Sequence, residues 1–408
     1  MIRMRAYERF LHYVAISTPS SEETSATPSS ACQFDLANVL ADEMKVMGLC
    51  NVRVSDDCFV YGELPATPGL EDQPCLGLIA HMDTAPAFNG INVKPQPIPD
   101  YDGGSIVLKG TGEVLSPEKF PHLKNLAGKT LITTDGTSLL GADDKAGIAE
   151  ILTACEMVME SGRPHGKIAV AFTPDEEIGL GVQHFDVDGF GAQFAYTVDG
   201  GAPGELGYEN FNACEAVVEI SGVSVHPGSA KNKMVNPCLV AMEFNAMLPS
   251  CETPRDTEGY EGFFHLCDMH GDAASAKLVY IVRDHSAERF EGRKEQMKHI
   301  EKIMNERWGA GTVKLSIREQ YRNMLEKIKP CFFLIENARK AMESVGIKPF
   351  DSAIRGGTDG SQLSYMGLPC PNLCTGGYDF HGPYEHIAVE DMDDCSDMLA
   401  ELICAPRS

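Results

Sequence analysis

In this chain, histidines and acids sit directly behind short, wholly apolar runs. Leu76–Ala80 runs into His81-Met82-Asp83, and Lys167–Thr173 into Pro174-Asp175-Glu176-Glu177. Gln193–Val198 runs into Asp199-Gly200-Gly201. Leu139–Ala142 leads to Asp143-Asp144-Lys145 at the start of a helical pattern, and Gly376-Gly377-Tyr378 leads to Asp379-Phe380-His381-Gly382. Uniformly apolar strands alternating with helices predict a sheet covered on both faces. In such α/β folds the carboxyl ends of the strands form the ligand crevice. The pattern therefore predicts one polar site fed from several strand ends.

Other elements follow from periodicity. Residues 1–20 and 33–48 read as amphipathic helices, the second closed by Gly48. Alternation over 52–64 suggests strands, and the Pro- and Gly-rich stretch 84–104 reads as a long functional loop. The segment 142–159 is a helix after a strand at 130–133. From about residue 211 the texture changes. Cys214–Ile220, Lys277–Val282 and Thr312–Ile317 alternate like half-exposed antiparallel strands around a charged helix at 285–307. The α/β texture returns at 331–344 and 369–375. The expected organisation is a discontinuous catalytic domain, 1–210 and 324–408, with a mixed sheet between helices. A smaller α+β domain, 211–323, is inserted in it.

Composition narrows the function. With 34 Lys and Arg against 59 Asp and Glu, the net charge is −25, which disfavours nucleic acid and anionic membranes as partners. No apolar stretch approaches a membrane span. The 14 cysteines include no Cys-x-x-Cys pair, and Met1–Arg5 lacks a signal-peptide pattern. Reduced thiols in the cytoplasm are the expectation. There is no Gly-x-Ser-x-Gly elbow, P-loop or dinucleotide fingerprint.

The residue types suit a metal hydrolase. Imidazoles and carboxylates without a cysteine motif fit zinc, or Mn2+ or Co2+ in its place. His81, Asp143, Glu177, Asp199 and His381 are enough ligands for two ions sharing one carboxylate around a hydrolytic water. Asp83 is two residues from His81 on the same strand face, where its carboxylate can accept the second imidazole N–H. Glu176 is placed to take a proton from the water.

The segments HMDTAPAF (81–88), GADDKAGIAEI (141–151), FTPDEEIG (172–179), YTVDGG (196–201), VHPGSAK (225–231), RGGTDGSQLSYMGLPCPN (355–372) and YDFHG (378–382) resemble the M20 metallopeptidases. They look most like the tripeptide aminopeptidase branch of that family. The resemblance implies two Zn2+ per subunit, one on His81, Asp143 and Asp199, the other on Asp143, Glu177 and His381. It implies Glu176 as general base, Asp83 as the partner of His81, and His226 as a donor to the oxyanion. It also implies a cis peptide at Asp143-Asp144, short peptides as substrates, and dimerisation through the inserted domain. The Asp379 and Pro383 that flank the His381 segment depart from the branch's usual Asn-Tyr-His-Gly-Lys. For the substrate's free carboxylate, Arg283 and Arg355 are the candidate clamp, because a planar guanidinium binds a carboxylate bidentately. The competing readings are another M20-type hydrolase (a dipeptidase, carboxypeptidase or N-acyl-amino-acid deacylase) and a non-catalytic peptide-binding relative.

Overall fold

The computed structural model describes residues 4–407. The chain divides into two compact units. The first comprises 1–208, 326–352 and 358–408, and the second 209–325 with 353–357.

The first unit is built on a mixed eight-stranded sheet. At its centre the strands Ile168–Thr173, Leu76–His81, Phe194–Gly200 and Asn372–Cys374 run parallel in that spatial order. Ile168–Thr173 and Leu76–His81 are buried at every position. That is why they read as continuous apolar runs rather than alternating ones. Because they are parallel, their carboxyl ends open on one side and deliver His81, Glu176 and Asp199 together. The helix Ala142–Ser161 covers one face, and Gly147 lets it approach the Asp199 strand closely. A Cβ at Gly147 would lie 1.9 Å from the Val198 carbonyl oxygen and 2.5 Å from Asp144 Oδ1. The neighbours are backbone and a buried acid, so the helix itself would have to move. Gly147→Ala is expected to cost about 3 kcal/mol, at the top of the overpacking range. A denaturant titration would check this.

A second, four-stranded sheet in this unit orders Gly377–Tyr378, His386–Ala388, Leu131–Thr133 and Gln96–Ile98. The first two form an antiparallel hairpin, and its loop carries Asp379, His381 and Glu385. Part of the stretch 84–104, expected to be loop throughout, is thus a strand paired with Leu131–Thr133. The first helix is also shorter than expected, Ala6–Val14. Beyond it the chain leaves the helix to bridge Pro19 with Thr84. Proline fixes φ and lacks the donor a helix needs. The helix Gln33–Met47 ends as expected, with Gly48 at φ 96° in the left-handed region.

The second unit is an antiparallel sheet in the order Phe263–Gly271, Ser275–Asp284, Asn212–Ser221, Val313–Tyr321. Its buried face carries Cys214, Ala216, Val218, Leu278, Tyr280 and Val282. These pack with Phe244 of helix Pro237–Ala246 and with Phe290, Met297 and Met304 of helix Ala287–Trp308. Two of its elements have no counterpart in the expected set. Strand Phe263–Gly271 is mostly exposed beyond its first two residues, so hydrophobic periodicity is silent there. Helix Pro237–Ala246 does carry a signal, Asn236 as N-cap with proline at the first helical position. The chain also re-enters this unit at 353–357, a short passage with no compositional mark.

Candidate metal centre

Asp143 stands at the middle of the site and divides its two oxygens. Oδ1 is 2.9 Å from His81 Nε2, and Oδ2 is 2.9 Å from His381 Nε2. On the first side, His81 Nε2 is also 3.6 Å from Asp199 Oδ1. On the second, His381 Nε2 is 3.0 Å from Glu177 Oε2. Each trio, His81–Asp143–Asp199 and Asp143–Glu177–His381, has its donor atoms within 4.8 Å of one another.

Local structure sets these positions. His81 ends its strand, and its backbone N–H donates to Asp144 Oδ2 at 3.1 Å. Gly141, at φ 82°, turns the chain into the helix, and Asp143-Asp144 is a cis peptide. Glu385 holds that turn from the hairpin: it accepts the backbone N–H groups of Leu140 at 2.7 Å, Gly141 at 3.0 Å and Asp143 at 3.1 Å. Sequence reading did not single out Glu385, because a buried structural acid has the same letter as a solvated one.

Asp83 differs from expectation in detail. The strand stops at His81, so Asp83 lies beyond it. The imidazole Nδ1–H points to the Asp83 backbone carbonyl at 3.1 Å, with the carboxylate Oδ1 at 3.3 Å. The carboxylate's main partners are the backbone N–H groups of Glu176 at 3.0 Å and Glu177 at 3.2 Å. Asp83 therefore orients His81 and also pins the turn that carries both glutamates. Asp83→Asn should weaken metal affinity by about 10–100-fold, the usual loss for an outer partner of a ligating histidine. Equilibrium dialysis against a metal buffer measures it.

The site's electrostatics fit cations. Burial, then the charge of Asp143, pushes Glu177 up to about 7. Burial pushes Asp199 up to about 6 against the pull of His81. Burial and Asp199 raise Glu176 well above the usual glutamate range. Hydrogen bonds to Asp143 and Glu177 hold His381 up to about 11. Burial alone would lower His81, but Asp199, Asp143 and Asp83 overcome it and raise it. Carboxylates are crowded here beyond what two imidazoles can neutralise, and Glu177 Oε1 is buried with no hydrogen-bond partner. With Nδ1 of His81 engaged by Asp83, Nε2 is the nitrogen left to ligate. Mixed imidazole and carboxylate donors around a shared Asp143 fit a pair of divalent ions.

Three expected residues belong to the second unit. His226 is exposed, and its Nδ1 accepts the Gly228 backbone N–H at 3.1 Å. In the neutral ring this places the proton on Nε2. Arg283 Nη1 donates to the Arg355 carbonyl at 3.0 Å, while its Nε is buried with no hydrogen-bond partner. Arg355, the other half of the expected clamp, turns its terminal donors to the protein itself. Its Nη1 donates to the carbonyls of Gly259 at 2.6 Å and Glu261 at 3.1 Å. Its Nη2 donates to the Thr257 carbonyl at 3.3 Å and hydroxyl at 3.1 Å. Arg355 thus fastens the 257–261 turn, and its terminal donors are already engaged.

Comparison with known proteins gives a consistent picture. Residues 141–405 match peptidase family M20/M25/M40. A Desulfitobacterium hafniense protein named Peptidase T is 53% identical over 398 residues, covering 97% of both chains. A Clostridium perfringens protein of the same name is 52% identical over 400 residues, covering 98% of both. Among solved structures, an aminopeptidase PepT from Bacillus cereus superposes with a TM-score of 0.77 at 22% identity, covering 98% of this chain and 97% of that one. A dinuclear metal-binding M20 peptidase from Bacillus subtilis superposes with a TM-score of 0.64 at 13% identity, covering 98% of both. These two likenesses are of fold.

Proposed function

Since this chain belongs to peptidase family M20/M25/M40 and is a metallo-aminopeptidase, we propose that it releases the N-terminal residue of tripeptides at a pair of zinc ions. The observation that carries the dinuclear reading is Asp143, with one oxygen turned to each ligand trio. His81, Asp143 and Asp199 hold one ion, and Asp143, Glu177 and His381 the other. When bound, the ions polarise the scissile carbonyl and acidify the attacking water.

The chain's own groups do the rest. Glu176, anchored through its backbone N–H to Asp83, accepts the water's proton and later passes it to the leaving amine. His226, with its proton on Nε2, donates to the developing oxyanion. Arg283 takes the substrate's terminal carboxylate, and Arg355 positions it through its carbonyl. The second unit, 209–325, serves as lid and dimer surface. The free state of all fourteen cysteines suits a cytoplasmic enzyme. Among the described residues no helix is long and apolar enough to cross a membrane.

A panel of di-, tri- and tetrapeptides with free and blocked termini, run with metal analysis, tests this reading. Tripeptides with a free amine should be cleaved fastest, and an acetylated amine should abolish cleavage. Preference for blocked amines would favour a deacylase instead. Arg283→Ala should raise KM for free tripeptides about tenfold or more, since a charged hydrogen bond contributes about 1.5–3 kcal/mol. KM for the amidated peptide should hardly move, and equal effects on both would remove Arg283 from the clamp.

A further inference from the structure

His122, Asp379 and His386 form a second cluster of ligating groups, and none of them belongs to either trio around Asp143. His386 lies on the inner strand of the His381 hairpin, and Asp379 begins its loop. His122 comes from the short helical turn Pro121–Leu126. We propose that this cluster is a separate site for one divalent cation of the zinc class. The proposal goes beyond the peptidase reading and does not depend on it.

The tautomers come first. His386 is fully buried, and its Nδ1 is 2.7 Å from the Tyr384 carbonyl oxygen. A carbonyl only accepts, so Nδ1 carries the proton and Nε2 presents its lone pair. A backbone carbonyl fixing the far nitrogen is the usual outer partner of a ligating histidine. Burial also holds this ring's pKa down to about 4, so it is neutral as a ligand must be. His122 Nε2 is 3.1 Å from His386 Nε2 and 3.3 Å from Asp379 Oδ2. Donors about 2.0–2.1 Å from a tetrahedral zinc lie roughly 3.3 Å apart, so both separations suit a common ion.

Asp379 supplies the independent observation. Its Oδ2 is buried and has no hydrogen-bond partner. An Nε2–H···Nε2 bond between the rings would satisfy the two histidines and leave that oxygen without a donor. A cation held between His122 and His386 gives that oxygen a partner; the oxygen's separation from the His386 ring is 3.8 Å, measured to Nδ1, and the three groups offer donor atoms within 4.8 Å of one another. The entry side is open, because the His122 and Asp379 side chains are 27% and 25% exposed while His386 is sealed. Two imidazoles and one carboxylate leave a fourth position for water, the composition of an accessible rather than closed zinc site. Bound metal would tie the 121–126 turn to the hairpin loop that carries His381.

The test titrates the full-length, metal-stripped chain with Zn2+ and counts bound metal by mass spectrometry after dialysis. Asp379→Asn and His122→Ala are made separately, with circular dichroism as the check on folding. Each should bind one equivalent fewer than wild type, and Co2+ loading should lose the matching part of its visible spectrum. In an Asp143→Asn background the wild-type cluster should still retain one ion, lost on adding His122→Ala. Equal stoichiometry in wild type and both variants overturns the site and leaves the ring-to-ring hydrogen bond as its explanation. A wild-type chain that holds the cluster's ion but none around Asp143 would instead count against the peptidase reading alone.

Discussion

Glu176→Gln should lower kcat for a tripeptide by about 10²–10⁴-fold, the contribution of a positioned general base, with metal content unchanged. The split between the two readouts is the point of the experiment. The Glu176 backbone is held by Asp83, and the amide replaces the carboxylate without a change of shape. Its side chain belongs to neither ligand trio. The ions should therefore stay, while the proposed proton acceptor is gone. Burial and the nearby Asp199 charge raise Glu176 in the metal-free protein, and bound cations offset that charge. Glu176→Asp, one methylene shorter, should recover little activity because proton transfer needs hydrogen-bond reach. Undiminished turnover in Glu176→Gln would remove the residue from the reaction. A loss of metal would recast it as a ligand.

Asp143→Asn should empty the centre, and His381→Ala should empty half of it. Each Asp143 oxygen faces a different trio, so the neutral amide weakens both ions at once. His381 faces only Asp143 and Glu177. The measurement is metal held by the centre after dialysis, read in a His122→Ala background so that only the two trios count: near zero for Asp143→Asn, half of the centre's content for His381→Ala. Equal loss in both would contradict a bridging Asp143. Protons compete for the same atoms. In the metal-free enzyme Glu177 is held near 7 and Asp199 near 6, and both must be ionised to bind metal. Affinity should therefore be highest above about pH 7 and fall as the pH drops through 7 and 6. His381, held near 11 by its two acids, must also shed its proton, so loading at neutral pH should release protons to a weakly buffered solution.

Much of this centre was legible in the chain. The ligating letters stand where apolar runs stop, and burial on both faces of a parallel sheet is what makes those runs continuous. The helix Gln33–Met47 was legible for a similar reason, since Gly48 alone can take the left-handed cap without strain. The hairpin loop with Asp379, His381 and Glu385 was harder. Its strands are two and three residues long, too short for a period of two to register. Arg355 shows the limit from the other side: an arginine beside a glycine-rich loop looks free, and only the carbonyls of 257–261 reveal that it is engaged.

The amino-acid sequence by itself determined the class of fold and singled out the letters of the candidate metal centre, because hydrophobic period and ligand chemistry are local properties of residues. Tertiary structure decided how those letters share the work. Which oxygen of Asp143 meets which histidine, Asp83's grip on the glutamate turn, Glu385's hold on the Asp143 turn and the convergence of His122, Asp379 and His386 are distances between residues up to some 260 positions apart. No local pattern encodes such separations. They arise when burying the apolar strands forces the polar ends that follow them into one place.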